Sequence, residues 1–200
     1  NHVDGTDVLV VRRTSTVVSS SSLVAGRVYL QTRSDSYVLN DGSVAAATWS
    51  LKKKDGTTTA DIRQLAVHVY FVSPCSVPAS GTSCTSAADG GTPVPTLKRL
   101  ELTNTGTTRS MVVTPLVEGI ENLQIDYGTD SLNSGMPNAF VTSPADTTAW
   151  GNVVAARVQL VARNVEATTG FSDSKTYNMG LAGTFTPASA VQKFKRHAYA

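Results

Sequence analysis

Alternating and continuous apolar runs along the chain predict a protein built mainly from β-strands. Segment 63–73 (RQLAVHVYFVS) is apolar at odd and even positions, so we expect a strand covered on both faces. In segment 96–103, Leu100 and Leu102 share no face with Arg99 and Glu101, which is typical of a strand with one solvated face. In all, strands are predicted at residues 7–13, 23–32, 35–39, 63–73, 96–103, 107–114, 123–127, 153–163, 176–179 and 189–199.

The strand predicted at 153–163 has the most strongly divided pattern. Arg157, Gln159 and Arg163 occupy one of its faces. The other face is apolar throughout, and an apolar face needs a cover from elsewhere in the protein or from a partner. Its members are Val154, Ala156, Val158, Leu160 and Ala162.

One short helix is predicted at residues 115–122. Thr114 is a suitable N-cap, and Pro115 suits the first helical position because no intrahelical N–H is needed there. Gly119 either weakens this helix by about 0.5–1 kcal/mol or allows close approach of another backbone. The apolar stripe of the helix, spaced i, i+4 and i+7, comprises Leu116, Ile120 and Leu123. Many strands, one helix and no strand–helix alternation indicate the α+β class, mostly antiparallel β, in a single domain over residues 1–200.

Turn and loop signals separate these elements. Residues 74–95 and 131–149 are rich in Ser, Pro, Gly and Asn, and we expect irregular insertions there. The polar tract Ser19–Ser22 is interpreted as a mobile loop. Tight turns are predicted at Asp41-Gly42, Asp55-Gly56 and Asn104-Thr105-Gly106.

Composition points to a protein that works outside the cytosol. Charged residues make up 16% of the chain, against about 25% in an average soluble protein. The net charge of +2 produces no overall field toward nucleic acid or membrane. The clusters Lys52–Lys54 and Lys193/Lys195/Arg196 are interpreted as solvated turns and strand ends, and no aromatic residues interleave with them to favour the alternative, DNA contact. No apolar run reaches a membrane-spanning length of about 18 residues, and no signal peptide is visible.

The two cysteines predict a disulfide. Cys75 and Cys84 enclose eight residues rich in Ser, Pro and Gly, which suits a surface loop closed by a bridge worth about 2.5–3 kcal/mol. Free thiols are a weaker alternative. A zinc site would need two further ligands at suitable spacing, and this loop contains no histidine. A disulfide implies an oxidising compartment.

The residues capable of catalysis do not form a recognisable site. His68 lies in a predicted strand and is interpreted as a core or interface histidine, while His2 and His197 are near the termini. Paired-histidine metal spacing, a G-x-S-x-G elbow and a phosphate loop are all absent from the sequence. Asp126 and Asp130 are interpreted as turn-forming residues, with a calcium site as the alternative. We therefore expect no enzymatic activity, metal or cofactor.

Four segments together carry a family resemblance. They are GTDVLVVRR near the start, PLVEGIENLQIDYGTD at Pro115–Asp130, WGNVVAARVQLVAR at Trp150–Arg163, and FKRHAYA at Phe194–Ala200. In this order and approximate spacing they resemble the PilW-like minor pilins of type IV pili and, more remotely, the J-type minor pseudopilins of type II secretion. The stretch VEGIENLQIDYG is the most specific of them.

The resemblance implies a fold, a location and partners. Proteins of this family have a pilin-like globular domain behind an N-terminal apolar helix, which a prepilin peptidase trims and which anchors the subunit in the Gram-negative inner membrane. This sequence lacks that helix, so we expect a truncated globular part with an uncovered apolar strip. The subunit would be periplasmic before assembly and extracellular in the pilus afterwards, where it would prime assembly and occupy the tip. Its partners would be other minor pilins, the major pilin and a tip-associated adhesin. The candidate interface residues are Leu116, Val117, Gly119, Ile120, Leu123, Val154, Val158 and Leu160, together with the loops 74–95 and 131–149.

Two alternative functions remain. A minor pseudopilin of type II secretion would share the architecture, and operon context distinguishes it from a pilin. A surface- or glycan-binding adhesin domain predicts a concave aromatic patch, for which only Trp49 and Trp150 are available among the tryptophans.

Overall fold

The computed structural model of the protein describes residues 1–19, 23–105 and 108–200. The helix α1 (Thr147–Gly151) and four single-turn 3-10 helices occur in this part of the chain, and none of its helices is long and apolar enough to cross a membrane. The strands are β1 (Leu9–Thr14), β2 (Val28–Thr32), β3 (Tyr37–Asp41), β4 (Ile62–Ser73), β5 (Thr96–Thr105), β6 (Thr108–Glu118), β7 (Ile120–Thr129), β8 (Ala139–Val141), β9 (Val153–Arg163), β10 (Tyr177–Asn178), β11 (Thr184–Phe185) and β12 (Arg196–Tyr199).

The predicted class, mostly antiparallel β with little helix, is confirmed. Each predicted strand corresponds to an observed one, although β2 and β12 start later than expected and a 3-10 turn occupies Ser189–Val191. The predicted loop 131–149 contains β8 and the start of α1, which the sequence analysis did not anticipate. The tract Ser19–Ser22 and the turn at Asn104–Gly106 lie partly outside the described residues.

The predicted helix at 115–122 is wrong. β6 continues through Pro115 to Glu118, and β7 begins directly after Gly119. An isolated helix of this length is marginal, and the residue before a proline prefers extended backbone. β6 is also the last strand in its sheet, where a proline without an N–H is tolerated. Residues 115–118 therefore continue the strand β6, despite the helical spacing of their apolar residues.

The chain divides into two compact units. Unit 1 comprises Asn1–Val8, Phe71–Lys98 and Pro115–Ala200, and unit 2 comprises Leu9–Tyr70 and Arg99–Thr114. That residues 1–200 form a single domain remains a prediction, because a division into two compact units does not show whether they fold independently.

Unit 2 is built on a sheet with the strand order β3-β2-β4-β5-β6. β1 and β2 both pair antiparallel with β4, β1 opposite Leu65–Tyr70 and β2 opposite Ile62–Gln64. Its core contains Tyr29, Trp49 and Ile62, each at most 5% exposed. With Leu23, Val38 and Val44 packed against it, this core joins β2, β3 and β4 and the loops next to them.

Unit 1 contains an antiparallel sheet in the order β12-β9-β7-β8. β7 and β9 form its long central ladder, in which Ile125 is opposite Val158. The N-terminal segment runs beside β7, since the Asp7 backbone N–H donates to the Leu123 carbonyl at 2.9 Å. β10 and β11 form a separate two-stranded ribbon.

Gly119 is required where β6 ends, and this gives the first prediction. Its φ is +85°, and a Cβ there would lie 2.3 Å from the Arg163 carbonyl oxygen. We expect Gly119→Ala to lower the free energy of unfolding by about 3 kcal/mol, because backbone strain and a clash add together. The matched control is Gly170→Ala, where φ is +73° but nothing lies within 4 Å. It should cost about 1 kcal/mol. Urea unfolding measures both, and equal losses would contradict the role of close approach.

Candidate interaction surface

The two faces of β9 are inverted relative to an ordinary half-buried strand. Gln159, Val161 and Arg163 point to the covered side and expose only 5%, 0% and 9% of their surface. Val154 and Val158 point the opposite way and expose 48% and 39%. Two long polar side chains thus lie inside while valines face solvent, which reverses the usual distribution. We call the outward row the β9 apolar face; it comprises Val154, Ala156, Val158 and the half-buried Leu160.

Aromatic side chains border the β9 apolar face. Tyr199 of β12 is opposite Leu160 in the ladder and is 56% exposed. Trp150 of α1 is 48% exposed and contacts Tyr127 edge to face, with ring centroids 4.8 Å apart. Tyr127 is itself opposite Ala156. Aliphatic and aromatic groups are therefore exposed together, and contiguous exposure of this kind marks interaction surfaces.

Among the described strands, none pairs with part of the sheet edge next to this face. β12 pairs only with Leu160–Arg163. The preceding residues, Val153–Gln159, have β7 on one side and no strand on the other within the described part of the chain. An open edge offers unpaired backbone donors and acceptors to another chain.

Buried polar groups close the opposite side of β9. Asp126, which is 1% exposed, accepts hydrogen bonds from Gln159 Nε2 at 3.1 Å and from the Leu181 backbone N–H at 3.2 Å. A Cβ at Gly180 would lie 2.4 Å from Asp126 Oδ2, so this turn approaches the sheet as closely as backbone allows. These contacts hold the turn against β7 and β9 and fix which face of β9 is covered.

Four buried charges form a network on the same side. Glu121 accepts from Arg163 Nη1 at 3.1 Å and from Arg196 Nη2 at 3.0 Å. Arg196 also pairs with Asp173 at 3.3 Å, and all four side chains are at most 8% exposed. Two cations and two anions balance, so each buried charge has a partner. A bulge between Ile120 and Asn122 places Glu121 in this position.

The pKa values of Asp173, Arg196 and the neighbouring Tyr177 are shifted in this network. Burial alone would raise the pKa of Asp173, but hydrogen bonds from Tyr177, the Lys175 backbone and Arg196 outweigh it and lower that pKa. Burial and the bond to Asp173 raise the pKa of Tyr177 to about 12. Desolvation opposes the charge on Arg196, yet its bonds to Glu121 prevail and raise its pKa. The lowered pKa of Asp173 and the raised pKa of Arg196 both favour the charged forms of this pair at neutral pH.

Acid should therefore destabilise unit 1 through Asp173, which is the second prediction. Its folded-state pKa lies below the unfolded value of about 3.9, so its contribution is complete above that value and is lost as pH falls through the folded pKa. We expect Asp173→Asn to reduce the acid slope of the unfolding free energy by up to about 1.4 kcal/mol per pH unit. Urea unfolding between pH 2 and 6 measures it, at roughly the interval in which carboxylates titrate. Parallel acid slopes for the two proteins would contradict the assignment.

The structure separates the other predicted interface residues. Leu116 and Val117 on β6 are 41% and 49% exposed. Gly119 is buried, as are Ile120 and Leu123 at 6% and 4% exposed. An interface role for all of these residues remains a prediction.

The predicted disulfide is confirmed, and the loop that it closes is well anchored. Cys75 and Cys84 are bonded, with Cα atoms 5.6 Å apart, and Cys75 is fully buried. Asp89 accepts backbone hydrogen bonds from Ser76 at 2.9 Å, from Val94 at 2.7 Å and from Val77. Burial would raise the pKa of Asp89, but these three bonds lower it. The segment 74–95 is thus irregular yet held in one shape.

The residues considered for catalysis or metal binding are engaged elsewhere. His68 lies in unit 2, where Nε2 is 3.0 Å from Glu101 and Nδ1 is 3.3 Å from the Tyr70 hydroxyl. Asp126 is in β7 and not in the turn that the sequence suggested. Asp130 follows β7 and accepts from the Leu132 and Gly135 backbone N–H groups at 3.0 and 2.6 Å. No group of three or more potential metal ligands occurs among the described residues.

Sequence reasoning missed several residues of this surface. Trp150 and Tyr199 were not assigned to the interface, although Trp150 precedes the strand predicted at 153–163 and Tyr199 lies in the strand predicted at 189–199. The partners of Glu121 lie 42 and 75 positions away in sequence, and no local pattern links them. The predicted apolar face of segment 153–163, by contrast, is present and exposed.

Fold and surface together define a disulfide-bonded antiparallel β protein with an exposed apolar row on the strand β9. Residues 82–200 match the family described as Type IV Pilus-assembly protein W. The chain therefore belongs to the PilW family and takes part in type IV pilus assembly. No curated protein and no solved structure matches it.

Proposed function

We propose that the protein is a non-enzymatic minor pilin whose β9 apolar face binds an apolar α-helix of the pilus. The observation that carries the proposal is the inversion of β9, which exposes Val154 and Val158 while Gln159 and Arg163 are buried. A monomer gains nothing by exposing its valines and burying its charges. The arrangement is favourable if another apolar element covers the valines in the assembled state.

The dimensions of the face suit a helix. Val154 to Leu160 span about 20 Å at roughly 3.3 Å per strand residue. A helix of about 13 residues has the same length at 1.5 Å per residue. The helix that we propose to bind this face is the N-terminal anchor helix, which the resemblance to minor pilins implies. Trp150 and Tyr199 would flank it.

The remaining surfaces suit contacts with unlike subunits. The cystine loop is held by Asp89 and presents Val77, which is 63% exposed. The segment 131–149 exposes Leu132 and Met136 at 73% and 71%. We infer that these loops contact other minor pilins, the major pilin or a tip-associated adhesin. The subunit would pass from the inner membrane and periplasm to the pilus tip, where it primes assembly.

Localisation in purified pili tests this role. An epitope-tagged full-length protein should copurify with sheared pili, and immunogold labelling should mark one end of the fibre. A strain lacking the protein should assemble few pili, and a plasmid copy should restore them. Labelling along the whole fibre would contradict the tip position. Normal piliation without the protein, or its copurification with a secretion machine and absence from pili, would contradict the minor-pilin role.

A further inference from the structure

A groove in unit 2 concentrates positive charge. It encloses about 890 Å³, and five cationic side chains line it: Arg33, Lys52, Lys53, Lys54 and Arg63. Asp61 is the only acidic residue among the described residues that line it. The arginines come from segments about 20 residues before and 10 residues after the lysines, so the tertiary structure creates this concentration.

The lysines are presented on a structured turn. The Lys53 backbone N–H donates to the Thr58 carbonyl at 2.7 Å, and Lys52 pairs with Thr59 across an antiparallel bridge. Asp55 accepts from the Thr57 and Thr58 N–H groups at 2.9 and 2.8 Å, so its carboxylate is used within the turn. A turn held in this way positions its charges before a ligand arrives, which reduces the entropic cost of binding.

Within the described ranges, two of the cations have no acidic partner. Asp61 pairs with Lys53 at 2.9 Å and with Arg63 at 3.1 Å. Arg33 pairs with Asp35 at 2.6 Å. Among the described residues, no carboxylate lies within ion-pair distance of Lys52 or Lys54; Lys52 Nζ instead contacts Thr59 Oγ1 at 3.1 Å.

The remaining side chains that line the groove indicate which class of anionic ligand fits it. Thr14, Thr32 and Ser34 supply hydroxyl groups, while the described lining contains no aromatic side chain and no Asn or Gln. Sugar rings and unpaired bases are usually held by aromatic stacking, which this groove does not offer. Ammonium, guanidinium and hydroxyl groups together are the typical contacts of a nucleic-acid phosphate backbone.

We propose that this groove binds the phosphate backbone of double-stranded DNA without reading its sequence. Lys52 and Lys54 are the principal contacts, and the hydroxyl groups and Arg33 add to them. This differs from the expectation that the lysine run is a solvated turn. It does not rest on the minor-pilin role, since the groove lies wholly within residues of unit 2.

Fluorescence anisotropy with labelled duplex DNA tests the site. The variant is Lys52→Ala/Lys54→Ala, and the control is Lys193→Ala/Lys195→Ala, which removes the same charge from exposed residues of unit 1. We expect the groove variant to weaken binding about tenfold or more at low salt and to reduce the slope of log K against log salt by about 1.8. The control variant should bind as the parent does. Two duplexes of different composition should bind with the same affinity.

Other outcomes would overturn the proposal. They are absence of DNA binding by the parent at low salt, an equal loss in the control variant, and a strong preference for one duplex. Polygalacturonate and phosphatidylglycerol vesicles serve as competing anions, and binding of either without binding of DNA would assign the groove to another ligand. Unchanged thermal unfolding of both variants excludes a folding defect as the cause.

Discussion

Replacing Val158 with glutamate should abolish incorporation of the protein into pili while leaving its fold intact. Val158 lies in the middle of the β9 apolar face and is 39% exposed, so a carboxylate there is solvated in the free protein. Exposed substitutions of this kind usually change stability by no more than about 0.5 kcal/mol. Once a helix covers the face, the same carboxylate loses its water without gaining a partner, which costs several kcal/mol. We therefore expect the variant to be left out of the pilus.

Immunoblots of sheared pili, with whole-cell levels for comparison, measure the effect. Val17→Glu is the matched control, since Val17 is 69% exposed and belongs to unit 2. It should be incorporated normally. Val154→Glu, on the same face but 48% exposed, repeats the test should Val158→Glu unfold. Normal incorporation of either folded β9 variant would contradict the proposed docking of a helix on this face.

The second large effect is expected at Glu121. Its carboxylate is the shared partner of Arg163 and Arg196, whose side chains are 5% and 0% exposed. Glu121→Ala leaves two buried guanidinium groups with only Asp173 to balance them. Breaking a buried pair in this way typically costs about 3–5 kcal/mol. Because the network closes the inner side of β9, thermal unfolding should shift to markedly lower temperature.

Two further variants define the cause of this loss. Glu121→Gln keeps the shape and an acceptor oxygen, so it should lose less stability than the alanine variant. Asp35→Ala removes an ion pair with Arg33 on the surface, where both side chains are at least 44% exposed, and the unfolding midpoint should hardly move. Calorimetry compares the three proteins. Equal midpoints for Glu121→Ala and Asp35→Ala would show that burial of the network contributes nothing.

Local pattern was sufficient for most strands and for the cystine loop. β4 and β9 occur at nearly the predicted bounds because long β-branched runs leave few alternatives. Cys75 and Cys84 are close in sequence, so a short loop brings them together with little help from the fold. The division of segment 153–163 into a polar and an apolar face could also be predicted from the sequence. Alternation depends only on the twofold period of a strand.

The tertiary structure, and not the local sequence, determined which face of β9 is covered. A strand places alternate residues on opposite sides, but long-range partners determine which side meets the core. For β9 those partners are Asp126, Glu121 and Arg196, whose hydrogen bonds and ion pairs hold Gln159 and Arg163 inward and leave Val154 and Val158 outside. The same holds for residues 115–118, where pairing in a sheet overrides a helical period. It also holds for the basic groove, which exists because folding brings Arg33 and Arg63 to the lysine turn. Periodicity thus determined the strands, and contacts between distant residues determined the surfaces that they present.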